Sequence, residues 1–103
     1  MNHIPFLIHS SPLETGRGIA SRLREIRKRK KLSQQKLSEK SGVSLGSLKR
    51  FEQSGEISLI SLIKLASALD VQGELDQLFC DIPPASIEEI IRGENKKIKR
   101  TLW

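Results

Sequence analysis

An all-α fold with five helices follows from three features of the sequence. Apolar residues recur every three or four positions from Ile19 to Leu78, the spacing of one helix face. A serine stands just ahead of four of these periodic stretches, at Ser11, Ser33, Ser44 and Ser58, where its side-chain oxygen can accept from the first helical turn. No stretch alternates apolar and polar residues for long enough to build a sheet. At 103 residues the chain has room for one core and not for a second. The expected organisation is an N-terminal arm over 1–10, a helical domain over 11–80, and a short helix with a flexible basic tail over 81–103.

The elements are justified in order. "MNHIPFLIHS" mixes β-formers with Pro5 and lacks a helical period, so it reads as an arm or short strand. In "SPLE", Ser11 caps, Pro12 takes the first helical position and Glu14 follows three residues after the cap, a capping box that opens the first helix. Gly16 and Gly18 weaken its first turns, while Ile19, Leu23 and Ile26 form its inner side. Ser33 opens the second helix with Leu37 inward, and Gly42 of "SGVS" ends it in the left-handed conformation. Ser44 caps the third helix, whose inward residues are Leu48 and Phe51, with Val43 packing at the entry. After "QSGE", Ser58 caps a fourth helix with Leu59, Leu62, Ile63, Ala66 and Leu69 on a wide apolar face. "ELDQLF" adds a fifth through Leu75, Leu78 and Phe79 before the prolines of "DIPPAS". Ser86 and Glu89 form a further capping box ahead of Ile87, Ile90 and Ile91.

Charge narrows the function. Lys and Arg number 18 against 12 Asp and Glu, a formal net charge of +6, which favours a polyanionic partner. Seven of the ten residues from Arg22 to Lys31 are basic, and Lys96, Lys97, Lys99 and Arg100 form a second cluster. The lone Cys80, read as a buried or half-buried side chain, makes no internal disulfide or multi-thiolate site. The longest apolar run, Ile4 to Ile8, contains Pro5 and is too short for a membrane span or signal segment, so the expected location is the cytoplasm. His3 and His9 have no ligand-spaced partners for a metal, and no cofactor is implied. With no phosphate-cradling glycine loop and no nucleophile–base arrangement, the chain reads as a non-enzyme. Four aromatics, with Phe51 and Phe79 assigned to the core, make no stacking platform for single strands, so duplex DNA is the expected nucleic acid.

Helix, tight glycine turn, helix is a geometry in which one helix braces on the DNA backbone and the next enters the major groove, roughly 12 Å wide. With Leu48 and Phe51 inward, Leu45, Gly46, Ser47, Lys49 and Arg50 stand on the outer side of the third helix. At "RLREIRKRKKLSQQKLSEKSGVSLGSLKRFEQ", continuing into "SLISLIKLASALDV", the chain resembles the XRE/Cro-type, or lambda-repressor-like, helix-turn-helix family from Leu13 to about Phe79. The resemblance implies that Gln34 touches a phosphate and braces the recognition helix, and that Ser44, Leu45, Gly46, Ser47, Lys49 and Arg50 meet bases or flanking phosphates. It also implies an ion pair between Arg27 and Glu52 that ties the first helix to the third.

The sequence departs from the family pattern in two places. Leu45 and Gly46 stand where relatives often carry polar or basic base-readers: Leu45 suits at most a thymine methyl, and Gly46 offers close backbone approach. Arg50 is then the best base-reader. The loop "QSGEIS" is one residue shorter than the commonest spacing and carries Glu56, where relatives place phosphate contacts.

One recognition helix reads too few base pairs for useful specificity, so a two-fold homodimer is expected on half-sites about 34 Å apart. The arm Ile4 to Ile8 and the residues Ile60, Leu65, Ile87, Ile90 and Ile91 either build that dimer surface or complete the monomer core. The tail ends in "TLW", and Trp103 has the character of an interface anchor for a partner. There and in "FEQSGEISLISLIKLASALDVQGELDQLF" the chain looks like the small antitoxin repressors of the HipB kind. That likeness implies repression of its own operon and binding to a HipA-like kinase toxin. The rival readings are a stand-alone or phage-type repressor without a toxin, and a helical module that binds protein only.

Overall fold

The computed structural model describes residues 11–83, and these contain helices and connecting turns only. The expected arm with His3 and His9, the capping box at Ser86, residues Ile87, Ile90 and Ile91, the basic tail and Trp103 lie outside the described residues. The helices are α1 (Pro12–Arg29), α2 (Gln34–Ser41), α3 (Leu45–Ser54), α4 (Leu59–Ala68) and α5 (Gln72–Asp76). The chain divides into two compact units, one ending at Gln72 and one starting at Gly73. No helix among the described residues is long and apolar enough to cross a membrane.

Local chemistry sets the helix ends in the first unit. At α1 the expected capping box is present: the Glu14 N–H donates to Ser11 Oγ at 3.1 Å, and the Ser11 N–H donates to Glu14 Oε1 at 3.0 Å. The Ser11 backbone N–H, and then its hydroxyl, hold the Glu14 carboxyl below the ordinary carboxylate range. Ser33, Ser44 and Ser58 cap α2, α3 and α4, each accepting from the backbone N–H three residues on, which supplies an acceptor to a donor that has none within the helix. Gly42 and Gly55 end α2 and α3 at φ of 79° and 81°.

The core of this unit is formed by Ala20, Leu37, Val43, Leu48, Phe51, Leu65, Ala68 and Leu69, with Ile19, Leu23, Ile26, Leu32, Ile57, Leu62 and Val71 packed at its edge. α1 packs on α3, and α2 packs on both α3 and α4, so neither helix of the central pair has to bury its apolar side alone.

The core assignments of Leu59, Leu78 and Phe79 change, as does the expected burial of Cys80. In α4, Leu59 is 64 % exposed and Leu65 is fully buried. The inward stripe follows Leu62, Leu65, Ala66 and Leu69, at successive three- and four-residue steps, and Leu59 at the first helical position falls beyond its edge. Leu65 therefore belongs to the core, while Ile60 stays on the surface at 62 %. In the second unit, α5 ends at Asp76, ahead of Leu78 and Phe79, which are 52 % and 70 % exposed. Five residues that include Gly73 fall below the length at which helix propagation repays nucleation, and Phe79 stands at φ 65°. Phe79 is not a core residue. Cys80 is exposed rather than half-buried, in the turns that follow α5.

Two contacts fix how α3 sits. Gly55 lies so close to α1 that a Cβ on it would stand 2.5 Å from the Gly16 carbonyl carbon, and a Cβ on Gly16 would stand 3.0 Å from the Gly55 oxygen. Gly16 thus has a packing role beyond its cost in helix propensity. The second contact centres on Glu52, whose side chain is 5 % exposed. Arg27 Nε donates to Glu52 Oε2 at 2.8 Å and Nη2 donates to Oε1 at 3.0 Å, while Nη1 donates to the Leu32 carbonyl at 2.8 Å. The ion pair implied by the resemblance is present, and in bidentate form.

Gly55→Ala is expected to destabilise the domain by about 2 kcal/mol or more, since it combines a left-handed φ with a backbone clash. Gly46→Ala, helical with nothing within 4 Å of an added Cβ, is expected to gain up to about 1 kcal/mol. Urea midpoints at constant slope check both. Glu52→Ala, which strands the buried Arg27 guanidinium, is expected to cost roughly 3 kcal/mol in the same assay.

Candidate nucleic-acid interface

The turn between α2 and α3 is tied by its own serines. Ser38 Oγ donates to the Val43 carbonyl at 2.6 Å and the Val43 N–H donates to Ser41 Oγ at 3.1 Å. Gly42 turns the chain between them, its N–H donating to the Ser38 carbonyl at 2.9 Å. Val43 is buried at 4 % and plugs the angle between the two helices. The crossing of α2 and α3 is thereby set by short-range bonds and one apolar residue.

Leu48 and Phe51, each 1 % exposed, point into the core. With that side anchored, helical periodicity turns Gly46, Lys49 and Arg50 outward, and all three are exposed. Gly46 has open space above its backbone. Lys49 makes no ion pair among the described residues. Leu45 is half-buried, because it shares a side with Leu48 and Glu52 at three- and seven-residue steps, and so only its rim faces outward. Gln53 is exposed and extends the Gly46, Lys49 and Arg50 stripe by one turn. It was missed in the sequence, although the same three- and four-residue spacing reaches it.

The serines at the start of α3 are occupied by the helix itself. Ser44 Oγ accepts from the Ser47 N–H at 3.1 Å and donates to Ser47 Oγ at 2.9 Å. This leaves the N–H groups of the first turn, Leu45 and Gly46, without intrahelical acceptors, the arrangement that favours an anion at a helix N-terminus. Gln34, half-buried at the start of α2, donates through Nε2 to Glu52 Oε1 at 2.9 Å. The bracing expected of it is therefore made, and Glu52 joins α1, α2 and α3.

Arg50 does not project freely. Its Nη2 lies 2.6 Å from Glu56 Oε1 in the loop before α4, with the two side chains 71 % and 54 % exposed. Ser47, Arg50, Glu56, Ile57, Ser58 and Ser61 line a cleft of about 310 Å³ beside them. Along α1 and in the turn that follows it, Arg22, Arg24, Lys28, Arg29, Lys30 and Lys31 are exposed. Arg24 and Lys30 approach Glu52 and Asp70 at 3.8 Å. Among the described residues Arg22, Lys28, Arg29 and Lys31 have no acidic partner within salt-bridge distance. No group of three or more His, Cys, Asp and Glu residues among the described residues is placed to hold a metal ion.

The segment that holds α2, the turn and α3 also matches a known family. The family model described as Helix-turn-helix matches residues 23–75, just over half of the chain. No curated protein matches the chain. The matched segment spans the end of α1, the α2–turn–α3 unit, α4 and most of α5. The chain belongs to the XRE-type helix-turn-helix family and is a DNA-binding transcription regulator.

Proposed function

We propose that the protein is a sequence-specific repressor that binds duplex operator DNA in the cytoplasm as a two-fold homodimer, with α3 as the helix that enters the major groove. The observation that carries this reading is the outward side of α3. Leu48, Phe51 and Glu52 are held from within, and Gly46, Lys49 and Arg50 remain exposed. Arg50 reads a base, guanine being the partner that a guanidinium meets through O6 and N7. Lys49 and the first-turn N–H groups of Leu45 and Gly46 meet phosphate, and Gly46 lets the backbone come close. Ser44 and Ser47 border the flanking phosphates, and Gln34 offers its remaining amide hydrogen to a phosphate while holding Glu52.

The reading extends to a second role, as the antitoxin of an operon that also encodes a HipA-like kinase toxin, with Trp103 as an anchor for that partner. What supports this extension is the likeness of the stretch from Phe51 to Phe79, and of the "TLW" ending, to HipB-type antitoxins. Co-purification of the cognate partner with the full chain, and its loss in Trp103→Ala, test it. A stand-alone repressor would bind DNA and capture no kinase.

DNA reading is tested by selecting a preferred duplex from a random library and titrating it against a scrambled one. Arg50→Ala is expected to cost roughly 1–3 kcal/mol on the preferred duplex and little on the scrambled one. Lys49→Ala is expected to weaken both alike and to reduce the log-log salt slope by about 1. Binding that ignores salt, or an Arg50→Ala variant with unchanged preference, would overturn the assignment.

A further inference from the structure

The Arg50–Glu56 pair joins the arginine on the reading side of α3 to an acid in the following loop. Its two members are well exposed, so the pair adds little to stability. Its location is built, however, by a closed ring of bonds. Ser54 Oγ donates to the Arg50 carbonyl at 2.7 Å, the Glu56 N–H donates to Ser54 Oγ at 3.2 Å, and Glu56 Oε1 accepts from Arg50 Nη2 at 2.6 Å. Gly55, in its left-handed conformation and pressed against Gly16, supplies the bend that returns Glu56 to the side chain of Arg50.

We propose that Glu56 is a positioning residue for DNA reading, which holds the Arg50 guanidinium in the orientation that meets a guanine edge and makes the protein more selective. The proposal rests on α3 being the DNA-reading helix. A guanidinium carries five N–H donors in a rigid plane. One carboxylate oxygen on Nη2 leaves enough of that plane for two parallel bonds to a base. A free arginine on a helix surface loses side-chain entropy when it docks, and a partner that restrains it beforehand removes part of that loss. The carboxylate also acts by repulsion. Glu56 stands beside the reading helix, where its charge repels the phosphates of any duplex alike, so it lowers affinity for right and wrong sites together and leaves their ratio to the positioning of Arg50.

The test uses the full chain and compares wild type, Glu56→Ala, Glu56→Gln, Arg50→Ala and the Glu56→Ala/Arg50→Ala double variant on the selected and scrambled duplexes at one salt concentration. Glu56→Ala is expected to lower the specificity ratio about tenfold, within the range of one bidentate arginine contact, while scrambled-duplex affinity rises. In the Arg50→Ala background the same change should leave the ratio unmoved, which a general structural role would not produce. Glu56→Gln, which keeps an acceptor oxygen without the charge, should restore part of the ratio and serves if the alanine variant fails to fold. An unchanged or increased ratio in Glu56→Ala and Glu56→Gln overturns the proposal, as does an equal loss in the Arg50→Ala background. If wild type shows no preference between the duplexes, the DNA-reading assignment fails with it. Preference in wild type with no effect of Glu56 removes the positioning role alone.

Discussion

The orientation of α3 depends on a single buried carboxylate. Glu52 receives both forks of the Arg27 guanidinium from α1 and the amide of Gln34 from α2, with Arg24 nearby at 3.8 Å. Removing two opposite charges from water is costly, and the cost is offset only where the geometry is good and the remaining donors are satisfied. Here the third arm of the guanidinium reaches the Leu32 carbonyl, and no buried polar side-chain atom among the described residues lacks a partner. Apolar side chains would pack α3 in several neighbouring rotations. A bidentate ion pair is met in one, and that rotation turns Gly46, Lys49 and Arg50 away from the core.

The two glycines that end α2 and α3 complete this constraint from the backbone side. Gly42 allows the turn that Ser38 and Ser41 then tie. Gly55 ends α3 where α1 crosses it closely at Gly16, with no room for a side chain on either. α3 is therefore held at its start by a bonded turn, along its inner side by Leu48, Phe51 and Glu52, and at its end by backbone contact. In the proposed role, presenting a few atoms to a groove within fractions of an ångström, α3 benefits from being restrained along its whole length.

Recognition chemistry on this surface is uneven. Gly46 has no side chain and half-buried Leu45 has no hydrogen-bonding group, so in the proposed reading direct readout falls mainly on Arg50, with Gln53 one turn further along the same side. Ser44 and Ser47 are already engaged in capping the helix. A surface with so few readers gains from holding the main one in place. Glu56, in the loop before α4 and within hydrogen-bond distance of Arg50, is the group positioned to do so.

Most of the helical framework was legible in the sequence, because capping serines, terminating glycines and three- and four-residue spacing act within a few residues of one another. Ser11, Ser33, Ser44, Ser58, Gly42 and Gly55 do locally what their types suggest, and the inward placement of Leu37, Leu48 and Phe51 follows from period alone. Tertiary structure decided what periodicity leaves degenerate. α4 is apolar over so much of its circumference that only packing selects Leu65 over Leu59, and only the close approach of α1 gives Gly16 its purpose. Leu78 and Phe79 look like the end of a core helix until α5 stops short of them. The Arg50–Glu56 contact spans six positions and a left-handed bend, beyond the reach of any helical spacing rule, so it is set by the path of the loop.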